Sequence, residues 1–213
     1  MRRAFSFTAI AVAPVVVSLL IPVPLLAAGA AVGEEAPPII ASSWVRGTPI
    51  ESYESGRVYV VDLWSTWCKP CIKAMPRLKE LEGKYAENAT FVEMNVWELD
   101  PRRIPGFMES HGANMPAIVA LDSIPDGREV NEGFTASGFL GLSEEIMIPK
   151  SFIVDQKGLI AWVGHPDFLE GPLAAVIEGS WDAEAFAKEL GSETANKAVS
   201  SGADSRFAPT TLR

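Results

Sequence analysis

The most constraining feature of this chain is a junction. Val58-Tyr59-Val60-Val61-Asp62-Leu63-Trp64 is a run of β-branched and aromatic residues, and three residues after it stands Cys68-Lys69-Pro70-Cys71. The run is long enough for a buried strand. From Pro70 to Lys84, and on to Tyr85, the apolar residues Ile72, Met75, Leu78, Leu81 and Tyr85 recur at steps of three and four. That spacing predicts an amphipathic helix that begins at the cysteine pair, with a kink at Pro76. These are the only two cysteines in 213 residues. A bridge between positions so close in sequence closes too short a loop to stabilise a fold much, so the pair is expected to work in redox chemistry and not as a staple.

The rest of the chain supplies the partners for that unit. Thr90 to Val96 reads as a second strand, Arg103 to His111 as a short helix interrupted near Pro105, and Pro116 to Leu121 as a third strand. Ser123 to Ser143 is rich in glycine and shows no period. Ser151 to Asp155, Gln156-Lys157-Gly158 and Leu159 to Val163 form a predicted β-hairpin, followed by helices near Pro172–Glu178 and Asp182–Leu190. Strand, helix, strand and helix closed by a hairpin predict an α/β fold, a central mixed β-sheet flanked by α-helices. The fold is expected to start near Trp44, with a small hairpin around Arg46-Gly47-Thr48-Pro49, so the domain spans 43–190. Residues 31–42, rich in Ala and Pro, are predicted as a flexible leader, and 191–213 as a flexible tail. No internal repeat is present.

Composition sets the surroundings. With 48% hydrophobic and 21% charged residues the chain is globular, and its net charge of -9 argues against a phosphate-backbone partner, so nucleic acid is not expected. Met1-Arg2-Arg3 precedes an uncharged apolar stretch from Ala4 to Ala28 and the small residues Ala28-Gly29-Ala30. Residues 1–30 are therefore predicted to be a signal peptide or, given the length of the apolar run, an N-terminal anchor, although Pro14, Pro22 and Pro24 would break a long helix. Either alternative puts the working domain on the extracytoplasmic side, periplasmic or secreted, and the second anchors it to the inner membrane.

The chemistry of the pair follows from its place. A thiolate, not a thiol, attacks disulfides, and a cysteine at a helix N-terminus is stabilised as thiolate by unpaired backbone N–H groups and the positive end of the dipole. Cys68 is accordingly the expected nucleophile, assisted by Lys69, and Cys71, one turn in, the resolving thiol. Asp62 stands six residues before Cys68 in an otherwise apolar strand, where a buried carboxylate is costly without a partner or a task.

Trp64-Ser65-Thr66-Trp67-Cys68-Lys69-Pro70-Cys71, behind a β-run and ahead of a helix with Pro five residues on, resembles the active-site run of thioredoxin-fold proteins. With the export signal it looks most like the TlpA/ResA group of extracytoplasmic thiol-disulfide oxidoreductases. The resemblance covers roughly Trp44 to Trp162 in element order. It implies that Asp62 exchanges the proton of Cys71 through a water, and that Ile148-Pro149 is the family's cis-proline site, where backbone groups of Ile148 hold an extended substrate peptide. Trp67 is assigned a surface role beside Cys68. The chain departs from the pattern at Ala74, where ResA-type reductases carry Glu, which weakens a dedicated cytochrome-maturation role. At Glu93, where thioredoxins carry Lys near the buried acid, the alternatives are a like charge that raises the Asp62 carboxyl by repulsion and an exposed strand residue, and the exposed residue is expected.

Rival chemistries fare differently. A c-type haem site needs His after the second cysteine, where Ile72 stands, and a peroxiredoxin needs Pro and Thr where Val61 and Ser65 stand. A Sco-like copper carrier stays open, with His165 as its distant ligand, although only Lys69 and Pro70 separate the cysteines. So does a non-catalytic redoxin-type binding module, which would not need both cysteines. His111 and His165 have no metal-ligand spacing, and no cofactor or metal is implied. The resulting expectation is a monomeric protein disulfide reductase acting on protein disulfide substrates and recharged by a membrane electron donor of cytoplasmic reducing equivalents.

Overall fold

The computed structural model describes residues 31–141 and 147–189. Strand β2, Val58–Trp64, is buried along its whole length, so it must be covered on both faces. It lies inside a six-stranded sheet of order β1-β4-β3-β2-β5-β6, with β1 at Ala41–Arg46, β3 at Ala89–Asn95, β4 at Ile118–Asp122, β5 at Lys150–Val154 and β6 at Ile160–Gly164. β2 runs parallel to β3, and β3 to β4. β2–β5, β5–β6 and β1–β4 are antiparallel, so the sheet is mixed as expected.

Alternation along β2 sends its residues into two layers. Tyr59, Val61 and Leu63 pack with Met94, Ala120, Phe152 and Ile160 beneath helix α3, Phe134–Leu140. Val58 and Val60 face the other way, onto Leu78 and Leu81 of helix α1, Lys69–Tyr85, and Leu173 and Val176 of helix α4, Glu170–Glu178. At the carboxyl end of β2 that second face continues into Trp64, which clusters with Cys68, Cys71, Met75, Val119 and Phe107 of helix α2, Ile104–His111. The Trp64 and Phe107 rings lie 5.0 Å apart. The cysteines are therefore seated on the sheet by an aromatic floor.

Three sequence expectations change. Residues 31–42, read as a flexible leader, are docked: Gly33 N–H donates to Ile160 O, Ile160 N–H to Glu34 O and Ala36 N–H to Gly158 O, and Ala36 is buried. The β5–β6 hairpin would otherwise leave an open edge of unpaired backbone groups there, and the leader fills it. The small hairpin around Arg46 to Pro49 does not form. β1 pairs with β4 instead, and the Arg46 guanidinium reaches the carbonyls of Gly112, Met115, Pro116 and Ala117. Within 123–143, α3 appears because Asp122 caps it, accepting from Thr135 N–H at 2.8 Å and Ala136 N–H at 2.9 Å. Seven residues make too few turns for a period to show.

The last helix is present over 183–189. The signal or anchor at 1–30 and the tail at 191–213 lie outside the described residues. Among those described, no helix is long and apolar enough to cross a membrane.

Candidate active site

Cys68 and Cys71 are joined in a disulfide at the start of α1. Cys68 is the N-cap: its Sγ accepts from the Cys71 N–H at 3.2 Å, satisfying one of the helix's free donors, and Pro70 occupies the first turn, where a missing N–H costs nothing. The cap puts Cys68 at the positive end of a 17-residue helix with Lys69 exposed beside it. Cys71 is one turn inside. Both are buried, so they differ in position at the helix end and not in exposure.

The loop that delivers Cys68 is fastened to a second loop, which follows β3. Ser65 Oγ donates to Val96 O, and Val96 N–H donates back to Trp64 O. Thr66 gives its N–H and its hydroxyl to the two carboxylate oxygens of Glu98, each at 3.0 Å. Trp67 Nε1 donates to Trp97 O at 3.0 Å, leaving its ring 43% exposed at the surface beside Cys68. Trp97 carries φ 54°, a left-handed conformation that a tryptophan holds only where its surroundings impose it. No motif in the sequence marks Glu98. An acid three residues beyond the buried β3, next to a tryptophan, is the available signal.

Asp62 is 2% exposed and points to the α1 face of the sheet, the face of Val60 and Trp64. In register beside it stand Ser151 on β5 and Glu93 on β3, with Val119 next in the row. Ser151 Oγ donates to Asp62 Oδ1. Burial pushes the Asp62 carboxyl up to about 7, partly offset by that hydrogen bond. Glu93 corrects an expectation: it is 1% exposed, because β3 has neighbours on both edges and α1 across its face. Its carboxyl is raised well above the ordinary range, first by burial, then by the charges of Asp62 and Glu82, with Arg46 opposing.

Ile148-Pro149 is a cis peptide bond immediately before β5, and Ile148 packs against the cluster that holds both cysteines. Pro149 is buried and Ile148 half-buried. The histidines are elsewhere. His111 stacks on Phe107 at 4.4 Å, and His165 accepts from the Asp167 N–H. No group of three His, Cys, Asp or Glu side chains among the described residues could hold a metal, so His165 does not join the cysteines as a ligand set.

A family-wide profile for Redoxin matches residues 31–177. This chain belongs to the Redoxin family. The match begins in the docked leader, consistent with that segment being part of the domain. Among curated relatives, this Redoxin-family chain is similar to protein FixW of Rhizobium leguminosarum, 29% identical over 71% of this chain and 68% of that one. It is also 31% identical to the thiol-disulfide oxidoreductase ResA of Bacillus thuringiensis, over 61% of this chain and 66% of the relative. The chain thus spans about two thirds of the length of these two relatives. A thiol-disulfide isomerase of Corynebacterium glutamicum superposes with TM-score 0.53, at 20% identity over 65% of this chain and 93% of that one, and an oxidised thioredoxin-like protein with TM-score 0.52, at 20% identity over 68% and 96%. These show the thioredoxin-like fold. Relatives of this kind support thiol-disulfide oxidoreductase activity and a place in a TlpA/ResA-like group.

Proposed function

We propose that this protein is an extracytoplasmic protein disulfide reductase. The observation that carries the reading is the Cys68–Cys71 pair capping α1 over a sheet face in which Asp62 is buried one strand step before Trp64. In the reduced protein, the Cys68 thiolate attacks a substrate disulfide, forms the Cys68–substrate bond and releases one substrate thiolate. Cys71 then gives its proton to Asp62 by way of water, and its thiolate attacks Cys68 Sγ. The Cys68–Cys71 bond forms as the Cys68–substrate bond breaks, and the second substrate thiolate leaves with that bond's electron pair. Two electrons have passed from the dithiol to the substrate. Asp62 suits this task because burial lifts its proton affinity into the neutral range.

Trp67, Ile148 and Pro149 form the substrate-facing rim in this reading, supported by the exposure of the Trp67 ring and by the packing of Ile148 against the cysteine cluster. The backbone of Ile148 pairs with an extended peptide. Lys69-Pro70 between the cysteines gives a milder thiolate stabilisation than the histidine of strong oxidants, which favours reduction. The composition of residues 1–30 supports export or membrane attachment. In an oxidising compartment the monomer then needs a membrane protein to pass it electrons from the cytoplasm. Trapping tests the assignment: Cys71→Ser accumulates mixed disulfides with substrate protein, because resolution is blocked, while Cys68→Ser traps none. Equal trapping by both variants contradicts it.

A further inference from the structure

Glu93 is a buried ionisable side chain beside the site that the exchange steps leave without a task and, unlike Glu98, without a hydrogen-bond partner for one of its oxygens. It occupies the position in register with Asp62 on the adjacent parallel strand, about 4.8 Å away across the sheet, and both side chains point to the α1 face. Glu93 Oε2 is buried with no hydrogen-bond partner. Three charged or titratable groups bear on this spot: Asp62 on β2, Glu82 on α1, and Arg46 on β1. Arg46 is spread over four carbonyls, and Glu82 is engaged by Lys79 at 2.7 Å and the Ala117 N–H at 2.6 Å. Neither supplies a hydrogen bond to Glu93. Two fully ionised carboxylates side by side in a buried layer are strongly disfavoured, whereas a carboxylic acid donating to its neighbouring carboxylate would satisfy the orphaned oxygen and leave one charge.

We propose that Glu93 and Asp62 share a single proton at neutral pH, making Glu93 a positioning residue that fixes the proton-accepting site at one negative charge. This rests on the reading of Asp62 as the acceptor for Cys71. When Cys71 resolves the mixed disulfide, the pair passes from one proton to two. It returns the second to solvent after the substrate thiolate has left, so protons balance over the cycle. A lone Asp62 would instead carry the charge unassisted, and a lysine in place of Glu93 would neutralise it.

The experiment is a carbon-13 NMR titration of the oxidised full chain with labelled Asp and Glu carboxyl carbons, on wild type, Glu93→Gln and Asp62→Asn. Wild type is expected to show both carbons responding in the same two separated steps, as coupled sites do. Either substitution removes the upper step, and the remaining carboxyl titrates in one step about one unit or more below it. Two independent single-step curves in wild type, or an upper step that survives Glu93→Gln, overturn the proposal, and the wild-type curves decide even if a variant fails to fold. The two readings separate cleanly. Coupled titration with unchanged resolution in Asp62→Asn keeps the shared proton and removes Asp62 as acceptor, whereas slowed resolution with uncoupled titration does the reverse.

Discussion

Glu98 holds the active-site loop by charge, and removing it should loosen the protein by a calculable amount. Its carboxylate accepts two hydrogen bonds from Thr66 at 3.0 Å, with longer contacts from Asn95 Nδ2 at 3.4 Å and Asp100 N–H at 3.5 Å. Glu98 and Thr66 are 7% and 6% exposed, so water reaches the Thr66 donors only in part once the carboxylate is gone. A hydrogen bond to a charged group contributes about 1.5–3 kcal/mol. With some rescue by water, Glu98→Ala is expected to lose about 3 kcal/mol, on the order of 10 °C in Tm for a domain of this size. Glu98→Gln keeps both contacts, its carbonyl accepting from the Thr66 N–H and its amide donating to the hydroxyl, and should lose only about 1 kcal/mol with the charge. Urea unfolding of the oxidised protein, followed by tryptophan fluorescence, measures both. A loss under about 1 kcal/mol in the alanine variant, or equal losses in the two, would refute the view that this carboxylate anchors the loop.

Asp62 should make stability fall with rising pH. Its folded value, about 7, lies above the unfolded carboxyl value near 3.8, so the folded state binds the extra proton between them and stability declines as pH rises through that window. Asp62→Asn should reduce this slope, leaving the part that the raised Glu93 carboxyl contributes, and be more stable than wild type at pH 8. A wild-type stability that rises from pH 4 to 7, or a slope that the variant leaves undiminished, would contradict the burial argument. Gly47 turns the chain after β1 at φ +84°, where an added Cβ would meet Ile118 Cγ1 at 2.8 Å and Ala117 O at 3.0 Å. Gly47→Ala is expected to cost about 2 kcal/mol or more in urea unfolding, and a neutral result would mean the β1–β4 edge adjusts freely. Asp122→Ala uncaps α3 and should cost about 1–2 kcal/mol, with faster amide exchange at Thr135 and Ala136 than elsewhere in the helix.

The centre of this fold was readable in the sequence because local signals and tertiary packing agree there. A fully apolar strand interrupted by one Asp, a cysteine pair three residues on and a 3–4 period put β2, Asp62, the disulfide and α1 in their places. The misread segments are those whose structure comes from elsewhere in the chain. The leader carries no strand pattern, yet it docks because β5 and β6 leave an edge to cover. Arg46-Gly47 resembles a turn and is one, but the strand before it pairs with β4, some 70 residues away. By local pattern Glu93 is the polar residue of a half-exposed strand. Burial on both faces of β3 is a property of the strand's place in the sheet, which no local period reveals.

The account's central claim is that the Cys68–Cys71 pair is a reducing dithiol, and its reduction potential tests that most directly. Trp64 is buried in the same cluster as the disulfide, so its fluorescence should report the redox state of the pair. Equilibration of the purified protein in glutathione or dithiothreitol buffers of known ratio is expected to give a potential nearer thioredoxin's, about −270 mV, than the oxidant end at about −120 mV. A value above roughly −180 mV would contradict the account and move the protein to the oxidase or isomerase side.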